Sequence, residues 1–235
     1  VSALLAASLI PTVSAAEIAN ALTPVAIVQE TEVQQTEQAL NLAVYAQASL
    51  QAQIDEAVAG QVTTLTLQGE TSEDLTIPAG KIIVLNLAEG SKLTNKTKTH
   101  TITNYGTLTI EGTGTVDNIS HGKAAVYNQV GGVVTLDGGT YTRSKEAGKD
   151  KTDSGENSYY NIQNHGEMTI NDGVTVKQTG NFSSMIASGF YDGTKETTNP
   201  KLVINGGTFS GGSHIYHCLC SCARCSEPYP RAVLT

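Results

Sequence analysis

A short segment recurs four times along the chain, and this recurrence is the feature that most constrains its fold. The four copies read GTLTIEG, GVVTLDGG, GEMTINDG and PKLVINGG, and they begin at Gly106, Gly132, Gly166 and Pro200. Their spacings of 26, 34 and 34 residues are typical of repeat architectures, in which each unit contacts only its neighbours. The charged, turn-rich segments 143–157 and 189–199 are interpreted as loops inserted into a shorter unit.

A second recurring pattern lies within each unit. An aliphatic residue stands two positions before a small polar residue in the segments ITN, VYN, IQN and IAS. Positions two apart face the same side of a strand, so the polar residue is predicted to point inward with the aliphatic one. A lone buried amide would be costly, whereas stacked amides can hydrogen-bond to one another. We therefore predict an inward asparagine ladder of Asn104, Asn128 and Asn164.

Each unit is predicted to contain three short strands, which in the first unit span 107–110, 113–116 and 124–127. The predicted inward columns are Leu108/Val134/Met168/Leu202, Ile110/Leu136/Ile170/Ile204 and Ile102/Val126/Ile162/Ile186. Each turn of the chain buries few aliphatic side chains, but stacking makes the core continuous along one axis. This explains how a chain with 5% aromatic residues and no tryptophan can still build a core.

The segments NYGTLTIEGTGTVDN, YNQVGGVVTLDGGTY, NHGEMTINDGVTV and KLVINGGTFSGG resemble a known architecture. They look like a right-handed parallel β-helix of the pectate-lyase-like superfamily, as found in exported bacterial surface proteins built of repeats. The resemblance covers residues 62–212. It implies an all-β solenoid with a short N-terminal capping helix that protects the open edge of the first coil.

Residues 49–60 are predicted to form that capping helix. One helical face carries the apolar residues Leu50, Ile54, Ala57 and Val58. Ser49 stands where an N-cap is expected, and Gly60 stands where a C-terminal glycine is expected.

The two ends of the chain differ from the repeats. Residues 1–16 are interpreted as a signal peptide that lacks its charged start, because a short apolar run precedes small residues suited to cleavage. Residues 17–48 are interpreted as a linker or loose helix. Residues 213–235 form an atypical tail that contains all four cysteines and shares neither the composition nor the period of the repeats.

The net charge of −8 favours some partners over others. Nucleic acid and anionic membrane surfaces both attract basic proteins, so neither is expected as a partner. The apolar run near the N-terminus is too short to cross a bilayer, and no membrane span is predicted. We expect a secreted or cell-surface protein.

Three residues are weak candidates for catalysis. Glu111 and Asp137 follow equivalent strands, and a strand spacing of about 4.8 Å would bring their carboxylates near the roughly 5–5.5 Å separation of a retaining glycosidase. Any adjacent acidic pair would give this spacing, so an exposed polar ladder is the competing interpretation. The resemblance to lyases implies an Arg or Lys base beside bound calcium, and Arg143 is the candidate base, although no calcium cluster accompanies it.

The cysteines are weak candidates for metal binding. They form a C-x-C-x-C-x-x-C run, Cys218, Cys220, Cys222 and Cys225. Four thiolates can bind Zn²⁺, but this spacing does not fit paired zinc knuckles. In an exported protein, adventitious disulfides are the competing interpretation, and no metal or other cofactor is expected.

The outward faces are the remaining candidate site. Thr109, Thr135 and Thr169 are predicted to form an external threonine row, with Tyr141 and other tyrosines near the turns. Hydroxyl groups and aromatic rings suit sugar binding, although threonine is also simply a good strand residue. The leading hypothesis is an exported, non-catalytic module for cell-surface adhesion or glycan binding. The alternatives are a carbohydrate-active enzyme, either a polysaccharide lyase or a glycoside hydrolase, and an inactive fragment of a longer repeat protein.

Overall fold

The computed structural model describes residues 48–146, 160–178, 185–189 and 198–211, and the short strands at 216–218 and 233–234. All of these except Ala48 belong to one compact unit, residues 49–235. Three wholly parallel sheets make up this unit, and each coil of the chain contributes one strand to each sheet in turn. The unit is therefore a parallel β-helix.

The strands are numbered in chain order. Sheet 1 contains β1 (Val62–Leu67), β4 (Ile82–Leu87), β7 (Thr107–Gly112), β10 (Val133–Leu136), β13 (Glu167–Ile170) and β16 (Lys201–Ile204). Sheet 2 contains β2 (Glu70–Ser72), β5 (Lys92–Thr94), β8 (Thr115–Asp117), β11 (Thr140–Thr142), β14 (Thr175–Lys177), β17 (Thr208–Ser210) and β19 (Val233–Leu234). Sheet 3 contains β3 (Leu75–Ile77), β6 (Ile102–Asn104), β9 (Val126–Asn128), β12 (Ile162–Asn164), β15 (Ile186–Ser188) and β18 (Tyr216–Cys218).

The strand register confirms the three predicted inward columns. Val134 pairs with Leu108 on one side and with Met168 on the other, and Leu136 pairs in the same way with Ile110 and Ile170. In sheet 3, Ile102, Val126, Ile162 and Ile186 stack in one column. Nearly all of these side chains are buried, and Leu202 is partly buried. Like residues thus meet like residues in successive coils, and the core runs lengthwise.

The second and third strands of the first predicted unit begin two residues later than expected, at Thr115 and Val126. Strand β7 continues to Gly112, and Gly114 lies in the turn before β8, so β8 begins later than predicted. Gly112 has a φ of 91°, which favours glycine, and a Cβ at Gly114 would clash with Ser91 Oγ.

Helix α1 (Leu50–Glu56) caps the first coil, as predicted. Ser49 is its N-cap, and its hydroxyl oxygen accepts a hydrogen bond from Ala52 N–H. The Gln51 side chain accepts from Thr76 N–H over 2.7 Å and donates to Thr76 O over 3.2 Å. Gln51 therefore satisfies both backbone groups of Thr76 on β3, the edge strand of sheet 3.

The end of the helix differs from the prediction. The helix stops at Glu56, and Lys81 Nζ donates to the carbonyl oxygens of Asp55 in its last turn and of Ala57, its C-cap. Gly60 instead joins the first turn of the solenoid, where its N–H donates to Gly80 O. Val58 was expected on the buried face but is 57% exposed. The lysine, rather than a glycine, satisfies the last carbonyl groups of this helix.

Other predictions concern the ends of the chain. Residues 1–47, predicted as signal peptide and linker, lie outside the described residues. In the predicted tail, β18 pairs with β15 and β19 pairs with β17, so parallel pairing continues into that segment. Within the described part of the chain, no helix has both the length and the apolar character needed to cross a bilayer.

Candidate functional site

The inner ladder consists of Asn104, Asn128 and Asn164, with Ser188 at its end. Asn104 Nδ2 donates to Asn128 Oδ1, and Asn128 Nδ2 donates to Asn164 Oδ1, both over 2.9 Å. Asn164 Nδ2 donates to Ser188 Oγ over 3.2 Å. All three asparagines are fully buried, and each also donates to a backbone carbonyl oxygen, Asn104 to Gly106 O, Asn128 to Gly132 O and Asn164 to Lys201 O on the next coil. The inner ladder therefore holds the corner between sheet 3 and sheet 1 and faces no ligand.

The outer face of sheet 1 carries the threonine row. Thr109, Thr135 and Thr169 are in register on β7, β10 and β13, and all three are partly exposed. Their side chains alternate with the buried columns, so they point away from the core. The structure thus brings these three predicted residues together on one surface.

A second row runs beside the threonines, at the ends of the sheet 1 strands. Asn205 Nδ2 donates to Asn171 Oδ1 over 2.7 Å, and Asn171 Nδ2 donates to Asp137 Oδ1 over 2.5 Å. We call Asp137, Asn171 and Asn205 the outer ladder. Glu111 occupies the equivalent position one coil earlier, because Glu111 follows Ile110 and Asp137 follows its partner Leu136. The two candidate carboxylates thus lie on neighbouring coils.

Arg143 lies in a different part of the molecule from this acidic row. It follows β11 as Asn118 follows β8 and Gln178 follows β14, and these residues form a buried polar column at the exit of sheet 2. The Arg143 side chain has 0% exposure, and its Nε donates to Lys123 O over 2.8 Å. Arg143 was expected in the inserted loop 143–157. Its burial removes it from the groups that can contact a polysaccharide.

Tyr141 also differs from the prediction. It was expected among the outward binding residues, but it stacks between Val116 and Val176 in the inward column of sheet 2. The side chain is fully buried, and its hydroxyl donates to Gly138 O over 2.9 Å. Burial raises its pKa well above the ordinary value, and the nearby Asp137 adds to the rise. Tyr141 is therefore a core residue.

Sheet 3 carries a cluster of aromatic and amide side chains that the sequence analysis did not identify. We call His100, Tyr105, Tyr127, Gln129, Gln163 and His165 the sheet 3 cluster. Tyr127 and Gln163 are paired at the outward centres of β9 and β12. Tyr105, Gln129 and His165 each directly follow an asparagine of the inner ladder. The outward position of Tyr127 and Gln163 could have been predicted from the sequence, because they are the central residues of the segments VYN and IQN.

The contacts within the sheet 3 cluster are specific. His165 Nδ1 lies 3.1 Å from Tyr127 Oη, and His165 Nε2 lies 3.1 Å from Gln163 Nε2. The Tyr127 ring lies 4.5 Å from the His100 ring and 5.1 Å from the His165 ring, the latter in an edge-to-face arrangement. Tyr105 is 44% exposed. The cluster therefore combines an exposed ring with fixed hydrogen-bonding groups.

The environment of His100, one of the two histidines in this cluster, keeps it neutral at pH 7. Burial lowers the pKa of His100 to about 4, with smaller contributions from the positive charges of Lys123, Arg143 and His165. The His100 Nδ1 atom also accepts a hydrogen bond from Ala124 N–H over 3.0 Å, which only an unprotonated nitrogen can do. Burial raises the pKa of Tyr127, although a hydrogen bond from Gln129 opposes that rise.

Metal binding has no support among the residues that the structure describes, where no three His, Cys, Asp or Glu side chains converge. Of the candidate cysteines, Cys220, Cys222 and Cys225 lie outside the described residues, and Cys218 is described only as part of β18.

No family model matches the chain, and neither the curated proteins nor the solved structures include a match.

Proposed function

We propose that this chain is an exported, non-catalytic β-helix module, of the pectate-lyase-like type, that adheres to cell surfaces by binding glycans. The proposal is supported by one observation above all, the regular polar surface of sheet 1. There Thr109, Thr135 and Thr169 stand in register beside the outer ladder. Hydroxyl, amide and carboxylate groups are the side chains that hydrogen-bond to sugar hydroxyls.

The outer ladder supports this role because its side chains are already oriented. The hydrogen bonds from Asn205 to Asn171 and from Asn171 to Asp137 hold three side chains in one direction. Side chains that are ordered before binding lose less entropy when the ligand arrives. A row repeated at about 4.8 Å also lets a polymer contact several coils at once, which raises the overall affinity.

The absence of catalysis is the second part of the proposal. The Asp137 carboxylate is bonded to Asn171, and the Arg143 guanidinium is buried away from this face. General acid–base work on a sugar requires groups within hydrogen-bonding reach of the scissile bond. Export to the cell surface is proposed from the signal-like residues 1–16.

Binding to a panel of insoluble polysaccharides tests the proposal. We expect the wild type to bind at least one of them. Replacement of Thr109, Thr135 and Thr169 by Val is expected to weaken that binding about tenfold or more, since each lost hydrogen bond contributes about 0.5–1.5 kcal/mol. The matched control replaces three in-register, partly exposed threonines of sheet 2, which are Thr115, Thr140 and Thr175. Equal losses in both triple variants, or no binding at all, contradict the proposed site.

An activity assay separates this function from the enzymatic alternative. The same polysaccharides are incubated with and without calcium, and the release of unsaturated or reducing ends is measured. We expect no release. Release that is abolished by Asp137→Asn would contradict the proposal and establish the lyase or hydrolase alternative.

A further inference from the structure

The turn that follows β16 contains the chain's only asparagine–glycine pair, Asn205 and Gly206. In such a pair the backbone nitrogen of the glycine can attack the side-chain carbonyl carbon of the asparagine, because the glycine has no Cβ to hinder the approach. The attack closes a five-membered ring without help from an enzyme. Whether it occurs in the folded protein depends on how the fold holds the two residues.

The fold leaves the side chain of Asn205 open to solvent. Asn205 is exposed as the last member of the outer ladder, and its Nδ2 donates to Asn171 Oδ1 in a hydrogen bond that is itself exposed. Asn128 of the inner ladder is the opposite case, since it is fully buried and its Nδ2 is committed to three acceptors. Water and hydroxide therefore reach the amide of Asn205 but not that of Asn128.

The attacking nitrogen is not held by a hydrogen bond. Among the residues that the structure describes, the Gly206 N–H donates to no acceptor, whereas the N–H of Asn205 donates to Ile170 O over 2.8 Å. Gly206 itself is buried, so solvent reaches the pair from the side of Asn205. An N–H group without a protein acceptor gives up no hydrogen bond when its proton is removed. The Gly206 nitrogen is thus available for ring closure.

The packing of the turn requires the glycine that makes the pair reactive. A Cβ on Gly206 would stand 1.7 Å from Asp172 Oδ1, so no other residue fits at this position. Gly207 follows with a φ of 109°, which also favours glycine. The reactive pair is therefore a consequence of how the last described coil packs on its neighbour.

The repeat shows that the product of the reaction fits the fold. The turn after β10 reads DGG at 137–139, and the turn after β16 reads NGG at 205–207. Gly139 and Gly207 both have a positive φ, of 87° and 109°. The two turns thus share their backbone conformation at this position and differ at their first residue only by an amide in place of a carboxylate.

We propose that Asn205 is a site of spontaneous deamidation, which adds one negative charge to the outer ladder. The Gly206 nitrogen forms a bond to Asn205 Cγ, the Cγ–Nδ2 bond breaks, and Nδ2 leaves as ammonia with the proton that Gly206 has lost. Water then opens the cyclic imide. Hydrolysis of the new bond to Cγ gives aspartate, and hydrolysis of the original backbone bond gives isoaspartate, in which the chain runs through the side chain.

This modification changes the hydrogen bonds of the outer ladder. A carboxylate cannot donate, so the bond from position 205 to Asn171 Oδ1 is lost. Asn171 then lies between two carboxylates, because its Nδ2 already donates to Asp137. The sheet 1 surface offers one donor fewer and one charge more. The effect on glycans rests on the proposed function, whereas the modification itself does not.

The test is peptide mapping of the full chain by mass spectrometry after incubation at mildly alkaline pH, both folded and in urea. Deamidation replaces an amino group by a hydroxyl group, and an isoaspartyl methyltransferase labels the isoaspartate product. We expect folded Asn205 to react at least about tenfold faster than Asn171, its ladder neighbour, which precedes Asp172 instead of a glycine. We also expect Asn205 to react at comparable rates in the folded protein and in urea, and Asn128 to react only in urea.

Two variants separate the modification from its consequence. Asn205→Gln keeps the amide but would have to close a six-membered ring, and we expect no modification at position 205. Asn205→Asp carries the product from the start. It is expected to remain folded in thermal unfolding and to weaken polysaccharide binding about threefold, since one donor is lost. Gly206→Ala is unsuitable because its Cβ would overlap the Asp172 carboxylate.

Two results would overturn the proposal. These are deamidation of folded Asn205 that is no faster than that of Asn171, and deamidation that folding slows by about tenfold or more relative to urea. The proposed function is judged separately, because mass spectrometry detects the modification without any glycan. A modified Asn205 in a protein that binds no polysaccharide supports this site and contradicts the proposed function, and binding with an unmodified Asn205 does the reverse.

Discussion

The two amide ladders use the same chemistry on opposite sides of the wall of the solenoid. In the inner ladder the bonds between asparagines measure 2.9 Å and every asparagine is fully buried. In the outer ladder the bonds measure 2.7 and 2.5 Å, but they are exposed to solvent. Shorter distances therefore accompany the bonds that we expect to contribute less to stability. Burial, and not bond length, determines what a ladder contributes, because water replaces a lost partner only outside.

This comparison also separates a structural ladder from a binding ladder. Asn128 Nδ2 is committed to Gly132 O, Asn164 Oδ1 and Glu167 O, so the inner side chains have no capacity left for a ligand. The outer side chains bond to one another in a single line and retain faces toward solvent. The same residue type can thus hold the fold together on one side and contact a partner on the other.

The largest expected effect is that of an isosteric change in the inner ladder. Asn128→Asp replaces a donating amide by oxygen, which would then face three acceptor oxygens in the core. We expect the free energy of unfolding at pH 7 to fall by about 4 kcal/mol or more, since several buried bonds are lost and a charge is buried. Urea denaturation measures this change, and a loss below about 1 kcal/mol would contradict the account of the inner ladder.

The next effect concerns the buried arginine. Arg143→Met keeps much of the side-chain volume but removes the bond to Lys123 O, and we expect a loss of about 2–3 kcal/mol in the free energy of unfolding. The measurement is again urea denaturation. An exposed cation is the control, and Lys201→Met is expected to change stability by less than about 0.5 kcal/mol. Equal effects of the two variants would place Arg143 at the surface after all.

A smaller effect is expected from the pH dependence of His100. Its pKa of about 4 in the folded protein is lower than the ordinary histidine pKa of 6.5, so the unfolded chain binds more protons than the folded protein between these two pH values. The free energy of unfolding therefore falls by about 2 kcal/mol, after allowance for partial exposure, as the pH drops through this window. Below the window it no longer changes on account of His100. We expect His100→Gln to lose less stability than the wild type between pH 7 and pH 4. Identical losses would contradict the shifted pKa.

The smallest effect is expected in the outer ladder. Asn171→Asp makes the same atomic change as Asn128→Asp but at an exposed site, beside the Asp137 carboxylate. We expect a loss of less than about 1 kcal/mol, because solvent screens the two charges and supplies new partners. If this loss equalled that of Asn128→Asp, burial would not be what distinguishes the two ladders.

The fold could be predicted from the sequence because aligning the repeats also aligns the residues that pair between neighbouring strands. Leu108, Val134 and Met168 align in the printed repeats, and the same alignment sets their pairing in sheet 1. The stacking of Asn104, Asn128 and Asn164 follows from the same spacing.

The two site residues that were placed wrongly, Tyr141 and Arg143, lie in and directly after β11 of sheet 2, where the strands β8, β11, β14 and β17 contain only three residues each. Tyr141 was expected outside because it was judged by its residue type, although the segments TVD, TYT, TVK and TFS align it with Val116, Val176 and Phe209. Arg143 was expected in a loop because a charged side chain in a charged segment indicates solvent. Only the register of β11 reveals that it occupies a buried corner.

The sheet 3 cluster was harder to predict. Tyr127 and Gln163 can be placed outward from the repeat, but His100 precedes its strand and joins them only through the folded turn. Directed contacts between side chains on different coils depend on rotamers, which the repeat pattern does not specify.

Hydrogen exchange of side-chain amides tests the central claim most directly, namely that successive coils stack in register around a buried asparagine ladder. Nuclear magnetic resonance can follow the Nδ2 protons of Asn104, Asn128 and Asn164 beside those of Asn171 and Asn205. The account predicts that the first three exchange slowly, close to the rate of global unfolding, while the last two exchange rapidly. Rapid exchange at Asn128, comparable to that at Asn205, would contradict it.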